Sequence, residues 1–148
     1  MQAATAVPAC YDCCVELNDV VDAIVRDLDG RWGVDAAWLF GSQVRGGRAD
    51  SDIDLAVLFR DQPDGQQLLE ARAELEQIAG RPVDVVDLDV ASPIIAHQAI
   101  KTGRLVADRV PAHRIAFLTR LPDRYEDLTL VRRTIEQTIL KRTAHGRT

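Results

Sequence analysis

The chain has 148 residues, of which 47% are apolar, and it carries a formal net charge of -5. This length accommodates one domain with one hydrophobic core. The acidic balance argues against direct nucleic-acid binding, which usually requires a basic surface, and no apolar run approaches the length of a membrane span. We therefore expect a cytoplasmic protein that binds a small molecule or another protein.

The N-terminal region is predicted to be a flexible segment over residues 1–11, followed by a helix from about Asp12 to Leu28 that ends near Gly30. Apolar residues recur there at helical spacing: Leu17, Val20, Val21, Ile24 and Leu28. The three cysteines of "CYDCC" are Cys10, Cys13 and Cys14. Because the histidines show no paired ligand spacing, free thiols are a better interpretation than a zinc site.

The middle of the chain alternates strands and helices, which indicates an α/β (α+β) domain with a small mixed sheet. One helix should turn four apolar residues inward and end at Gly80: Leu68, Leu69, Leu75 and Ile78. Ser92 and Pro93 are an N-cap and first-turn signal for a short helix ending at Thr102 and Gly103. The predicted elements are strands Ala36–Phe40, Asp52–Phe59, Val83–Leu88 and Arg104–Ala107 and a helix Gln66–Ala79.

The C-terminal region from about Ala112 to Arg142 has a helical pattern that Pro122 should interrupt or start. Its predicted inner face consists of Tyr125, Leu128, Ile135 and Ile139. We interpret residues 12–110 as the folded domain and residues 111–148 as its helical extension.

Carboxylates interrupt the apolar sequence "FGSQVRGGRADSDIDLAVLF". Because alternate residues of a strand share a face, Asp52 and Asp54 lie on one side and Ile53, Leu55 and Val57 on the other. Two adjacent carboxylates repel each other, by about 4 kcal/mol at 4 Å and an effective dielectric of 20. Magnesium would offset this repulsion, since it prefers hard oxygen ligands and leaves positions open for phosphate oxygens.

A third acid can reach the same place. In "PVDVVDL", Asp84 shares a strand face with Val86, whereas Asp87 faces the other way and is interpreted as a strand-end residue. Neighbouring strands are only about 4.8 Å apart. Upstream, the sequence "FGS" ends a strand, where Gly41 lets the backbone approach a phosphate and Ser42 supplies a hydroxyl group. Phosphate and metal would then share one site.

These motifs together resemble the nucleotidyltransferase signature of the polymerase-β-like superfamily: "GSQVRGGRADSDIDLAV" followed by "RPVDVVDL". The sequences "TGRLV" and "YEDLTLVRRTI" extend the likeness to minimal nucleotidyltransferases, in particular the MntA antitoxins paired with HEPN-domain toxins. Nine residues separate Ser42 from Asp52, one fewer than the family usually has, so Arg45 and the other loop residues receive no role.

The resemblance implies that Gly41 and Ser42 hold the triphosphate of ATP, and that Asp52 and Asp54 bind two Mg²⁺ ions. Asp84 would help to bind the catalytic ion and orient or deprotonate the attacking hydroxyl. The implied function is transfer of AMP from ATP to a tyrosine of a HEPN ribonuclease toxin. Two alternatives remain open: an antitoxin that neutralises its toxin by binding alone, and a small-molecule nucleotidyltransferase similar to aminoglycoside-modifying enzymes.

Overall fold

The computed structural model describes residues 3–41 and 51–145. Within these ranges four helices and four strands follow one another along the chain. They are α1 (Ala3–Trp32), β1 (Val34–Phe40), β2 (Ile53–Phe59), α2 (Gly65–Ala79), β3 (Val83–Asp87), α3 (Pro93–Thr102), β4 (Arg104–Asp108) and α4 (Pro111–His145).

The four strands form one mixed sheet in the order β3-β2-β1-β4. Strand β1 is antiparallel to both β2 and β4, whereas β2 and β3 are parallel and are connected through α2. The predicted mixed sheet and the predicted edge position of "RLVA" are thus confirmed. Strand β2 lies inside the sheet, and its N-terminal end lies next to the C-terminal end of β1.

Each face of the sheet is covered by its own apolar cluster. Helices α1 and α2 cover one face, in a cluster formed by Val21, Ile24, Val25, Leu28, Val34, Ala37, Leu39, Ile53, Leu55, Val57, Phe59, Leu75 and Val83. Helices α3 and α4 cover the other, in a cluster formed by Ala36, Trp38, Ala56, Leu58, Leu88, Ala96, Ala99, Phe117 and Leu121. Strand β2 contributes alternate residues to both clusters, which confirms the predicted period of two along this strand.

Helix α1 is longer than predicted at both ends, since it runs from Ala3 to Trp32. The predicted apolar face is confirmed: Leu17 and Val20 are partly buried, and Val21, Ile24 and Leu28 are buried. The predicted flexibility of residues 1–11 concerns dynamics and stays a prediction.

The predicted inward face of α2 is only half correct. Leu75 is buried and Leu68 packs against the first cluster, but Leu69 and Ile78 are 62% and 43% exposed. Helix α2 packs beside the edge strand β3, so only a narrow stripe of its surface meets the sheet. Positions adjacent to that stripe therefore remain in solvent.

Helix α4 differs from the prediction in two ways. It continues through Pro122, which lies inside the helix; because Pro122 is exposed, the carbonyl group that loses its backbone partner can be hydrated. Moreover, Ile135 and Ile139 are exposed rather than inward-facing, and the other two residues of the predicted face, Tyr125 and Leu128, have side chains outside the described part of the structure. A helix of 35 residues is about 52 Å long at 1.5 Å per residue, and it extends beyond the sheet after Leu121.

The helix-terminus signals are confirmed. The Ser92 side chain accepts a hydrogen bond from the backbone of Ile95, with Pro93 as the first residue of α3. Gly80 adopts a left-handed conformation at φ 66° and donates its backbone N–H to the carbonyl group of Glu76, which ends α2. No helix within residues 3–41 and 51–145 is long and apolar enough to cross a membrane.

Replacing Gly80 with Ala should lower the free energy of unfolding by about 1 kcal/mol, because a residue with a Cβ atom is strained in the left-handed region. The space around Gly80 is open, so strain in the backbone is the only source of the loss. Gly65→Ala is the matched control, since Gly65 also has open space but no positive φ. Urea unfolding of both variants measures the difference, and equal losses would contradict the role of φ.

Candidate active site

Strand pairing brings two of the predicted acids together. Asp54 of β2 is the register partner of Asp84 on the parallel strand β3 and of Phe40 on the antiparallel strand β1. Because Ile53 and Val83 point into the first cluster, the two carboxylates point to the opposite face of the sheet. They lie at the open end of that face, beyond the last buried apolar residues.

Asp52 immediately precedes β2 and is exposed. The backbone at this point is tied to β3, because Ile53 donates its N–H to the carbonyl group of Pro82 at 2.9 Å. Asp52 is two residues before Asp54 and therefore continues the same side of the strand.

The three acids interact electrostatically. Partial burial raises the pKa of Asp54 above its ordinary value, and the negative charges of Asp84 and Asp52 raise it further. Each of these causes disfavours the ionised form of Asp54. The charge on the three side chains therefore favours a bound cation.

Gly41 lies directly against the Asp54 carboxylate. It has a φ of 78°, and a Cβ atom at this position would collide with the Asp54 side chain. Glycine is thus required at this position for two reasons: the positive φ of the backbone and the close approach of the Asp54 carboxylate. Ser42, the other residue predicted to contact the triphosphate, lies outside the described residues, as do Arg45 and the rest of the loop up to Asp50.

The acids supply the right chemistry for Mg²⁺, namely carboxylate oxygens on neighbouring strands. In the described parts of the chain, however, no three potential ligand side chains converge on one point. The residues fit a divalent cation by donor type and by charge.

One basic residue contacts this group of acids. Arg72 of α2 forms an ion pair with Asp84, with 3.0 Å between Nη2 and Oδ1, and another with Glu76, also at 3.0 Å. The hydrogen bond to Glu76 and the charges of Asp84 and Asp52 raise the pKa of Arg72. The sequence prediction missed Arg72, although its spacing of four residues from Glu76 is a recognisable helical ion-pair signal.

Asp87 lies apart from the site, as predicted. It ends β3, is buried, and accepts hydrogen bonds from the backbone N–H of Asp89 at 3.1 Å and from the side chain of Gln62. Burial raises the pKa of Asp87, and the hydrogen bond from Asp89 opposes that increase. Its role is to stabilise the turn after β3.

A second polar group was not predicted. Asp35 is buried near a β-bulge at the start of β1, and it contacts His113 at 2.7 Å and Arg60 at 3.1 Å. The signal in the sequence was a single acid at the edge of the apolar segment "VDAAWLF". This group joins β1, β2 and α4 at the end of the sheet remote from Asp54.

Comparison with known proteins identifies the family. Residues 23–111 match the family model described as polymerase beta, nucleotidyltransferase. The protein adenylyltransferase MntA of Thermococcus cleftensis is 36% identical over 72 residues, which cover 48% of this chain and 73% of that protein.

Solved structures show the same fold. A chain of a toxin-antitoxin structure with AMP-PNP matches with a TM-score of 0.71 and 26% identity, over 83% of this chain and 98% of that chain. A chain from the complex of a tri-AMPylated Shewanella oneidensis HEPN toxin with its MNT antitoxin matches with a TM-score of 0.68 and 23% identity, over 86% and 98%.

The region matched by the family model contains Asp52, Asp54 and Asp84 as well as Gly41. It also spans β1, β2, β3 and β4, the complete sheet on which the acids are arranged. The chain belongs to the polymerase beta family of nucleotidyltransferases.

Proposed function

We propose that this nucleotidyltransferase is a Mg²⁺-dependent protein adenylyltransferase that transfers AMP from ATP to a tyrosine of a HEPN ribonuclease toxin and thereby acts as its antitoxin. The observation that carries the proposal is the pairing of Asp54 with Asp84 in register, next to Gly41 and Asp52. A cluster of carboxylates of this kind is suited to phosphoryl transfer, because metal ions bound to it can stabilise the negative charge that develops during the reaction.

The relatives support the choice of nucleotide and partner. The MntA relative is named a protein adenylyltransferase, and a structural neighbour at 26% identity is a toxin-antitoxin structure with AMP-PNP. ATP is therefore the proposed nucleotide, and a HEPN toxin is the proposed protein substrate.

Each type of side chain in the signature has a separate task in this proposal. Asp52 and Asp54 would hold Mg²⁺ together with Asp84, and the backbone at Gly41 with the Ser42 hydroxyl would hold the triphosphate. Bound Mg²⁺ supplies positive charge that offsets the carboxylates and the phosphate oxygens. Holding the two substrates in the reactive orientation lowers the activation barrier, because the reacting groups no longer have to meet and orient in solution.

The proposed reaction is an in-line substitution at the α-phosphorus. The tyrosine oxygen forms a bond to phosphorus while the bond to the bridging oxygen of the β-phosphate breaks, and pyrophosphate leaves with that electron pair. Asp84 accepts the proton of the tyrosine hydroxyl group. The product is a phosphodiester between tyrosine and AMP, which brings bulk and negative charge to a surface that must bind RNA phosphates.

Replacing Asp54 with Asn should stabilise the metal-free protein at neutral pH. Folding raises the pKa of Asp54 from its ordinary value of 3.8, so the ionised carboxylate is less favourable in the folded than in the unfolded state. This loss of stability is present in full at pH values above the pKa that Asp54 has in the folded protein. It disappears as the pH falls below 3.8, where Asp54 is protonated in both states. Thermal unfolding in EDTA from about pH 7 to about pH 3 measures how the effect of Asp54→Asn on stability changes with pH.

The gain from Asp54→Asn should therefore shrink as the solution becomes acidic. Asp61→Asn is the control, because Asp61 is an exposed acid at the other end of β2. Destabilisation by Asp54→Asn at neutral pH would mean that favourable partners, rather than repulsion, surround this carboxylate.

Mg²⁺ and ATP together should raise the melting temperature of the parent protein. At about 100 times the dissociation constant, a ligand adds about 2.7 kcal/mol to the free energy of unfolding. Asp52→Asn, Asp54→Asn and Asp84→Asn should each lose this shift while remaining folded, and Asp61→Asn should keep it. An unchanged melting temperature of the parent with both ligands would contradict a metal-nucleotide site.

The parent protein with ATP and Mg²⁺ should add AMP to the HEPN-type product of a neighbouring reading frame and abolish its RNA cleavage. Intact mass measurement and peptide mapping identify the modified residue, which should be a tyrosine. Asp52→Asn should bind the toxin without modifying it, and the toxin should regain activity after dilution. If Asp52→Asn protects as durably as the parent and no AMP is found, neutralisation is by binding alone.

A further inference from the structure

A cavity of about 260 Å³ opens beside Asp84, between α2 and the edge strand β3. The residues that line it are Gly65, Leu68, Leu69, Arg72, Asp84 and Val85. Because Asp84 is the register partner of Asp54, this cavity adjoins the candidate active site. None of the sequence signals for phosphate or metal binding falls on its α2 wall.

The lining combines an apolar wall with two charged groups. Leu68, Leu69 and Val85 supply the apolar surface, and Leu69 is 62% exposed. The charged groups are the ion-paired side chains of Asp84 and Arg72, with 3.0 Å between Oδ1 and Nη2. An exposed leucine next to a carboxylate suits a ligand that has an apolar body and a polar tip.

The size of the cavity restricts the ligand further. Pockets for small-molecule ligands and cofactors usually measure about 300–1,000 Å³, so this cavity of about 260 Å³ is small for a nucleotide. It is large enough for one side chain. A serine or threonine would leave most of the apolar wall uncovered, whereas an aromatic ring with a hydroxyl group would cover the wall and still present a polar tip.

We propose that this cavity is the acceptor site and that it receives the tyrosine side chain of the protein substrate. This inference rests on the proposed function and identifies where its acceptor binds. The ring packs against Leu68 and Leu69, and the hydroxyl group reaches Asp84. Arg72 is a positioning residue, because its ion pair fixes the orientation of the Asp84 carboxylate.

The assignment separates the two substrates in space. The acceptor enters from the α2 side of β3, and the nucleotide is held from the β1 side, where Gly41 adjoins Asp54. The tyrosine oxygen then attacks the α-phosphorus as its proton passes to Asp84, and pyrophosphate departs away from the acceptor. Entry of the two substrates from opposite sides is what an in-line substitution would need.

Two exposed apolar residues of α2 provide a matched test. Leu69 lines the cavity, whereas Ile78 lies on the same helix outside it and is 43% exposed. Leu69→Glu should raise the KM for the partner protein by about tenfold or more, equivalent to a loss of about 1.4 kcal/mol of binding free energy. Leu69→Ala should change KM in the same direction by a smaller factor, and Ile78→Glu should leave it unchanged.

The measurement is AMP transfer at increasing partner concentration, with binding of ATP and Mg²⁺ followed separately by calorimetry. Leu69→Glu should bind ATP as the parent does. Parental KM values for Leu69→Glu, with normal transfer by the parent, would overturn the acceptor site and leave the proposed function intact. Loss of ATP binding in Leu69→Glu but not in Ile78→Glu would assign the cavity to the nucleotide and also overturn the inference.

A partner-free measurement tests the chemical class of the ligand. N-acetyltyrosinamide should shift the methyl NMR signals of Leu68, Leu69 and Val85, and N-acetylserinamide at the same concentration should not. Equal effects of both compounds, or shifts confined to other methyl groups, would overturn the assignment to a phenol. If the parent binds ATP and Mg²⁺ but transfers no AMP to its partner, the proposed function fails, and the acceptor site fails with it.

Discussion

The arrangement of this protein depends on the register of β2, which is buried on both sides. Ile53, Leu55 and Val57 contact the cluster under α1 and α2, while Ala56 and Leu58 contact the cluster under α3 and α4. A shift of one residue would exchange the two sets of side chains, which differ in size, and would turn Asp54 towards the cluster under α1 and α2. Burial therefore fixes the register, and the register places Asp54 beside Asp84 and Phe40.

The same constraint explains how the fold holds mutually repelling carboxylates. The free energy of burying β2 comes from apolar residues along its whole length, and the unfavourable charge is confined to its N-terminal end. Arg72 partly balances this charge through Asp84, whereas no ion pair of Asp54 is found among residues 3–41 and 51–145, and its pKa is raised. The fold thus maintains a local site whose charge is suited to cations, at a small expense to its overall stability.

The edge position of β3 makes the site accessible from outside the sheet. Because no further strand pairs with β3 in the described part of the chain, the side chain of Arg72 reaches Asp84 from α2, and a cavity remains between the helix and the strand. At the other end of β1, away from Asp54, the sheet is closed by the contacts of Asp35 with His113 and Arg60. Binding sites commonly lie at concave, accessible positions on a well-packed scaffold.

The sequence by itself determined the local features of this protein: the strand faces of Asp52, Asp54 and Asp84, the α1 stripe, and the helix ends at Ser92 and Gly80. These depend on residues a few positions apart, whose periodicity and backbone preferences can be read directly.

Only the tertiary structure decided the features that depend on distant segments. The sequence predicted that Asp84 can reach the acids of β2, but its register opposite Asp54 came from the fold. The contact of Arg72 with Asp84 and the burial of Asp35 against His113 were not predicted, since they join residues far apart in the chain. The exposure of Leu69 and Ile139 was likewise decided by how much of α2 and α4 meets the sheet. An apolar pattern shows which face of a helix can be buried, but the extent of the neighbouring surface determines how much of that face is buried.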